Sequence, residues 1–280
     1  MCWRSALPLI LIAGAASAAE DYIVGLGAEA DSADGLAGAI AGGVGIAADT
    51  WLSAALARNS VELSRGRVLD TLYADLGVDQ WFDPVGVRVA AAYWGDRDIL
   101  ESRDWIASVY TRGERFSLAG DFEHRDFRFF LPETELFPAR TIDFDARGLG
   151  VTTRLQLTDR TSLALSAMDY DYSVNLSIDS NRRLLELLTF SRFSLINSLV
   201  DYRASLEVGF DVGDSHWQLD VSQSKGEVDG GRSRSVTLRF LTPAAASTDI
   251  EFGLGVDDSE LYGTVSFFSV FLFFYGGGTP

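Results

Sequence analysis

The sequence predicts an all-β fold, a single antiparallel transmembrane β-barrel of about fourteen strands. Three observations carry this prediction. Apolar and polar residues alternate with a period of two over most of the chain, and short connectors alternate with longer or more polar ones. Most alternating segments are also near the roughly 9–11 residues that a tilted membrane strand requires.

The alternation is clearest between Val200 and Val212. One face carries only apolar side chains: Val200, Tyr202, Ala204, Leu206, Val208, Phe210 and Val212. The other face carries polar residues and one glycine: Asp201, Arg203, Ser205, Glu207, Gly209 and Asp211. A helix would scatter these charges around its circumference, whereas a strand places all of them on one side.

The connectors favour a membrane barrel over a soluble sandwich, which also alternates. Short connectors lie at 48–50, 81–84, 112–114, 158–160, 213–215 and 243–248. The intervening connectors, most of them longer or more polar, lie at 31–35, 64–66, 96–102, 125–140, 173–198, 226–231 and 257–259. This asymmetry is typical of the periplasmic turns and extracellular loops of membrane barrels.

An even number of strands returns both termini to the periplasmic side. The predicted strands are 22–30, 36–47, 51–62, 67–79, 85–95, 103–111, 115–124, 141–157, 161–172, 199–212, 215–225, 233–242, 249–256 and 260–275. The first four are rich in glycine and alanine and are the weakest, so the loss or merger of one pair would give about twelve strands.

Residues 1–18 are predicted to be a cleaved signal peptide, and residues 19–280 the barrel domain. Arg4 supplies a positive start, residues 7–13 form a short apolar run, and residues 16–18 form a small-x-small cleavage site. The apolar run is too short to span a bilayer as a helix, which disfavours an uncleaved anchor.

The composition excludes several classes of protein. A mean hydropathy of +0.10 is too polar for a bundle of membrane-spanning helices, and a net charge of -17 disfavours a nucleic-acid partner. The single cysteine, Cys2, lies in the predicted signal peptide, so disulfides, Cys-ligated zinc and thiol catalysis are excluded together. No P-loop or HExxH motif occurs, and we expect neither a cofactor nor a metal.

Two irregularities interrupt the alternation. The apolar residues of 142–146 and those of 151–157 have opposite parity, which predicts a β-bulge near Gly148 and Gly150. Leucines recur at near-helical spacing from Arg182 to Leu199, which predicts a short helix in an extracellular loop (the 181–199 helical loop). Such a helix could constrict the mouth, lie on the lipid surface or pack on the rim.

Tryptophans lie near the predicted membrane boundaries. Trp51, Trp81 and Trp217 stand beside short connectors, whereas Trp94 and Trp105 flank a longer one. Because indole rings favour the membrane–water interface, this placement predicts aromatic girdles around the barrel.

The last predicted strand carries Phe271, Phe273 and Tyr275 in alternation. Here the chain resembles bacterial outer-membrane β-barrel proteins of porin-like type, whose last strand ends on an aromatic residue that the assembly machinery reads. The tail 276–280 departs from that pattern. The resemblance implies the outer membrane of a Gram-negative bacterium. It also implies outer-membrane lipid, lipopolysaccharide and the assembly machinery as partners.

The alternation places charged side chains of both signs on the predicted inner face. These candidate lumen-lining residues are Asp75, Arg88, Asp121, Glu123, Arg154, Asp201, Arg203, Glu207, Asp211, Asp220, Arg239 and Glu251. They suit a narrow, water-filled pore for passive diffusion of small polar solutes, with a weak preference for cations. They also suit a non-conducting structural or surface-interaction barrel, in which the same residues pair across a blocked interior.

A barrel hydrolase is a weaker alternative. His124 with Asp126, and Asp169 with Asp171, superficially resemble the paired residues of omptin-like proteases. Both pairs follow the lipid-facing register, however, and His216 lies beside a short connector on the side away from an external substrate. We therefore expect no catalytic residues and no enzyme activity.

Overall fold

The computed structural model describes residues 21–63, 67–96, 99–131, 140–173, 199–227, 230–260 and 263–277. The described residues form fourteen strands: β1 (Asp21–Asp31), β2 (Gly35–Ala47), β3 (Thr50–Leu63), β4 (Arg67–Trp81), β5 (Val85–Asp96), β6 (Leu100–Arg112), β7 (Phe116–Leu131), β8 (Arg140–Thr158), β9 (Thr161–Tyr172), β10 (Val200–Val212), β11 (Ser215–Gly226), β12 (Arg232–Ala245), β13 (Thr248–Ser259) and β14 (Gly263–Gly277). Each strand pairs antiparallel with its neighbour in sequence, and β1 pairs with β14 to close the barrel.

The prediction of fourteen antiparallel strands is confirmed, and the alternative of twelve is wrong. The largest differences in length lie on the extracellular side, where β6 begins at Leu100 and β7 continues to Leu131. The helix predicted from Arg182 to Leu199 lies outside the described residues except for Leu199, because residues 174–198 are not described. Within the described ranges, no helix is long and apolar enough to cross a bilayer.

One face of the sheet carries nearly all the exposed large apolar side chains, with Leu76, Leu149 and Leu254 exposed by 59%, 70% and 59%. This face is the outside of the barrel, because side chains of the opposite face meet across intervening strands. The Tyr170 hydroxyl on β9 donates to Glu123 Oε2 on β7 at 2.6 Å, a contact that only the concave side allows. An apolar exterior of this extent is a surface for lipid rather than for water.

The apolar exterior has the height of a membrane. On β10 it runs from Val212 to Tyr202, which is about 33 Å along the strand at roughly 3.3 Å per residue. A tilt of about 40° reduces this to roughly 25 Å across the bilayer. Outward aromatic rings form a row near the periplasmic end across β10 to β13: Phe210, Trp217, Phe240 and Phe252.

The girdle prediction is wrong for three tryptophans, because strand parity directs them inward. Trp51 pairs with Asp79 on the inner face, and Trp81 stacks on Tyr110, whose hydroxyl donates to Asp79. Trp94 packs inside the extracellular end. Trp105 and Trp217 face outward, as a girdle requires.

The β-bulge predicted near Gly148 and Gly150 is wrong. β8 pairs with β7 from Arg140 to Leu155 without a register shift, and its shift against β9 lies between Gln156 and Thr158. The apolar residues change parity because the strand leaves the lipid. Beyond that level the outward positions are polar and the inward positions are apolar, as in a soluble protein.

The apolar group inside the extracellular end is termed the mouth cluster, and its members are Leu100, Phe127, Phe129, Phe144, Ala146 and Leu199. Phe127 is 2% exposed, and its ring stacks on Phe144 with centroids 5.0 Å apart. The mouth cluster fills the inside of the barrel along β6 to β8 and the start of β10, so one side of the entrance is occupied by packed side chains.

Candidate functional site

The strand registers place all but one of the candidate lumen-lining residues on the inner face: Asp75, Arg88, Asp121, Glu123, Arg154, Arg203, Glu207, Asp211, Asp220, Arg239 and Glu251. Asp201 falls outside this regular register. It lies at a register shift between Val200 and Tyr202, and its carboxylate contacts the Lys225 ammonium on β11.

Glu227 lies just beyond the end of β11. Its burial, and to a smaller extent the nearby charge of Asp201, raises the pKa of the Glu227 carboxyl.

Three deeply buried charges form a group with Tyr170 and the half-exposed Arg203 on the inner face of β6 to β10. This group is termed the buried network, and its members are Asp104, Glu123, Arg125, Tyr170 and Arg203. Arg125 Nε lies 3.4 Å from Asp104 Oδ1 and 3.6 Å from Glu123 Oε1, and these three side chains are each 7% exposed. Glu123 Oε2 also accepts from Arg203 Nη2 at 3.1 Å. The Arg125 guanidinium lies over the Phe127 ring, 4.9 Å from its centroid, so the network lies directly below the mouth cluster.

The buried network balances its own charge, since two carboxylates face two guanidinium groups. Sequence reasoning missed Arg125 because the predicted strand stops at His124 and assigns Arg125 to a loop. Asp104 lies at the start of the predicted strand 103–111 but was not among the candidate residues. One signal was present in the sequence: Arg125, Phe127 and Phe129 continue the parity of Glu123. That signal was masked because the inner face becomes apolar above the lipid.

Other inward charges also form pairs, either across one intervening strand or between adjacent strands. Arg154 Nη2 on β8 lies 3.0 Å from Glu207 Oε1 on β10, and both residues pair in register with Ala164 on β9. Arg239 and Asp220 approach to 3.5 Å on adjacent strands. Such pairs on an exposed inner surface fix side-chain positions more than they stabilise the barrel.

His216 also faces inward, close to the periplasmic end. Its Nδ1 lies 2.7 Å from Asp211 Oδ1. The His216 ring and the Ser162 hydroxyl both lie close to Gly209. Sequence reasoning did not connect His216 with Asp211. The short turn between β10 and β11 places the two residues directly opposite each other.

The wall formed by β2 and β3 has a different character. Its inner face carries small side chains over most of its height, and this small-residue wall comprises Ala37, Ala39, Ala41, Ser53, Ala55 and Ala57. The buried network spans β6 to β10, and in the closed order of fourteen strands the positions opposite it run from β13 through β14 and β1 to β2 and β3. Large side chains occupy the inner face of β6 to β10, whereas small side chains line β2 and β3. The open space inside the barrel is therefore shifted toward β2 and β3.

The wall between these two, β13–β14–β1, combines aromatic rings with carboxylates. Phe267, Phe271 and Phe273 point inward from β14, while Phe268 and Phe274 point to lipid. Inward carboxylates flank the rings from both neighbouring strands: Glu29, Asp31, Asp249, Glu251 and Asp257. Sequence reasoning missed this wall because both faces of β14 are apolar, so alternation cannot show which side faces the interior.

The histidine and aspartate pairs considered for hydrolysis lie on the outer face. His124 Nε2 is 3.3 Å from Asp126 Oδ1, and Arg147 stands between His124 and Asp171 in the cross-strand row. Arg147 thus separates the two pairs. Across the described ranges, no group of three or more histidine, cysteine, aspartate or glutamate side chains is arranged to hold a metal ion.

No protein-family model and no curated protein matches the sequence. Solved structures do match. The CymD monoaromatic hydrocarbon channel is 7% identical with a TM-score of 0.56, covering 97% of this chain and 92% of the channel. A loop L8 deletion mutant of OmpT, an outer membrane protein of Vibrio cholerae, is 9% identical with a TM-score of 0.50, covering 92% of this chain and 100% of that chain.

The chain has the fold of bacterial outer-membrane porins and channels. The KdgM porin also matches, at 9% identity and a TM-score of 0.45, with 90% of this chain and 98% of the porin covered. At these identities the likeness establishes the porin-type barrel alone, so the chemistry of the interior has to be argued from this chain's own residues.

Proposed function

We propose that this porin-type barrel allows passive diffusion of small polar solutes across the outer membrane. The observation that carries the proposal is the contrast between the two faces of a closed sheet. Outside is an apolar belt of membrane height, and inside are charged residues whose bulk is concentrated on β6 to β10. Fourteen strands enclose more space than the roughly eight-stranded barrels that their own side chains fill.

The pore should favour cations. In the described part of the inner face, acidic residues outnumber basic ones, and the arginines of β7, β8, β10 and β12 already contact carboxylates. The unbalanced charge lies on β13 and β1, on either side of β14 and beside the free interior. A surplus of fixed negative charge along a narrow aqueous path concentrates cations and excludes anions.

Planar-bilayer recording on refolded protein tests the pore. Discrete conductance steps whose reversal potential in a KCl gradient indicates preference for K⁺ are the expected result. The heat-dependent gel shift of folded membrane barrels shows that the protein is folded. If folded protein gives no conductance, that result would support the structural, non-conducting barrel. Steps that favour Cl⁻ would retain the pore and contradict the role assigned to the acidic surplus.

We further propose that the protein is not an enzyme. Its outer His124–Asp126 pair is separated from Asp171 by Arg147, an arrangement that offers no organised nucleophile and base. Peptide and phospholipid hydrolysis by the wild-type barrel should equal that of a His124→Ala variant at background level. Hydrolysis that depends on His124 would contradict the proposal.

The route to the membrane is proposed from the sequence. Residues 1–18 would direct export and be removed, the assembly machinery would insert the barrel, and its polar outward rim would contact lipopolysaccharide. Mass spectrometry of the protein extracted from outer membranes should give a chain beginning near Ala19. A retained Met1, or recovery from the periplasm without detergent, would contradict this route.

A further inference from the structure

The rings on the inner face of β14, termed the aromatic row, are Phe267, Phe271 and Phe273. Each packs closely against a glycine of a neighbouring strand. A Cβ built on Gly27 would stand 2.0 Å from the Phe271 ring, one on Gly255 would stand 2.1 Å from the Phe267 ring, and one on Gly25 would stand 3.0 Å from the Phe273 ring. The glycines therefore leave the room that each ring needs to pack against the wall.

The three rings are partly accessible from the interior. The three phenylalanines are half-buried, and the rings of Phe271 and Phe273 are nearly parallel, with centroids 6.2 Å apart and planes inclined by 14°. The part of each ring that stays exposed to water inside a pore gains nothing in stability. Their arrangement is explained if something apolar passes along them.

The carboxylates determine the charge of that occupant. Glu251 pairs directly with Phe271, Asp249 pairs with Phe273, and Asp31 and Asp257 stand on either side of Phe267. Glu29, Asp31 and Asp257 line the same small cavity, and the adjacent strand β12 carries the inward Arg239. Arg239 is itself engaged with Asp220, so this wall carries a surplus of negative charge.

A small cavity lies at the upper end of the aromatic row. Its volume is about 60 Å³, and Glu29, Asp31, Asn59, Asp257 and Phe267 line it. A water molecule occupies roughly 30 Å³ of the liquid, so the cavity accommodates a group of ammonium size. Carboxylates and an aromatic ring around such a space are the two features that stabilise an organic cation.

We propose that the wall β13–β14–β1 is a binding track for organic cations that carry an ammonium group on an apolar, ring-bearing body. The ammonium group contacts Glu29, Asp31 and Asp257, while the apolar body slides over the rings of the aromatic row. This inference rests on the proposed pore and names the class of solute that the pore would favour.

The test measures block of K⁺ current through single refolded barrels by phenethylammonium chloride. Phenylacetate and 2-phenylethanol serve as anionic and neutral probes of the same size. We expect concentration-dependent block by phenethylammonium and little by the other two. The double variant Phe267→Ala/Phe271→Ala should need a blocking concentration about three- to fivefold higher for each ring removed.

Phe268→Ala is the matched control, because Phe268 is on the same strand but faces lipid with 46% exposure. Its block should equal that of the wild type. A second variant, Glu29→Gln/Asp257→Asn, keeps the rings and should weaken block by phenethylammonium while leaving the effect of 2-phenylethanol unchanged.

The outcomes separate the two proposals. A wild-type barrel that conducts K⁺ but responds equally to all three probes would overturn the track and leave the pore intact, even if no variant folds. Equal block of the Phe267→Ala/Phe271→Ala and Phe268→Ala variants would do the same. Absence of any conductance by folded wild-type protein would overturn the pore and the track together.

Discussion

The Arg203 guanidinium on β10 reaches the Glu123 carboxylate on β7 across two intervening strands, with Nη2 3.1 Å from Oε2. Glu123 thus joins Arg125, which is buried, to Arg203, which is half-exposed toward the interior. Glu123 is therefore the one carboxylate that contacts both guanidinium groups of the buried network.

Replacing Glu123 with Gln should destabilise the barrel by about 3 kcal/mol, because it leaves the buried Arg125 charge undercompensated. Glu207→Gln is the control, since its pair with Arg154 is far more exposed and should contribute no more than about 1 kcal/mol. Urea unfolding in detergent micelles, followed by tryptophan fluorescence, measures both. Equal losses would show that burial of the network has no special energetic role.

Truncating Phe127 to Ala should cost about 3–5 kcal/mol in unfolding free energy, because a ring that is 2% exposed leaves a cavity in the mouth cluster. The same change should increase single-channel conductance, since the cluster occupies part of the entrance. Phe122→Ala on the outer face of the same strand should leave conductance unchanged. An unaltered conductance in Phe127→Ala would place the mouth cluster outside the solute path.

Gly27→Ala should destabilise the closure between β1 and β14 by about 1–3 kcal/mol, because the added methyl group overlaps the Phe271 ring. Gly120→Ala provides the comparison, since its Cβ would meet nothing within 4 Å. Its unfolding free energy should stay within about 0.5 kcal/mol of the wild type. A tolerated Gly27→Ala would show that Phe271 moves freely away from the wall.

Leu206→Arg should cost about 2–4 kcal/mol, since Leu206 faces outward near the middle of the apolar stretch of β10. Asp126→Arg, on the outer face of β7 above the apolar belt, should cost about 1 kcal/mol or less. Unfolding from lipid vesicles measures the difference. Similar costs at the two positions would contradict the membrane level assigned to the belt.

The strand number, the antiparallel order and the alternation of connectors were predictable because each depends on local pattern. Alternation with period two survives in most strands that cross lipid, as from Val200 to Val212. The extracellular ends of β6 to β8 could not be predicted this way. There the solvent changes from lipid to water, so the polarity of each face inverts while the backbone continues without a bulge.

The candidate site was predictable only where the two faces of a strand differ in polarity. Glu123, Arg154 and Arg239 each have an apolar residue next to them in sequence on the outer face of the strand. The strand registers place the three charged residues on the inner face. The aromatic row stands on a strand whose two faces are both apolar, so its orientation follows only from pairing with β1 and β13. Asp201 was misassigned to the regular register because a register shift leaves no mark in the sequence.

The small-residue wall has a consequence for engineering. Its alanines hold no ion pair and support no ring among the described side chains, so a bulky residue or a covalent label attached at Ala41 or Ala55 would extend into the interior without breaking an existing contact. The predicted mature chain contains no other thiol, and a cysteine introduced there would be modified at that single position. The barrel is thereby a suitable scaffold for a sensing nanopore whose width is set chemically at one wall.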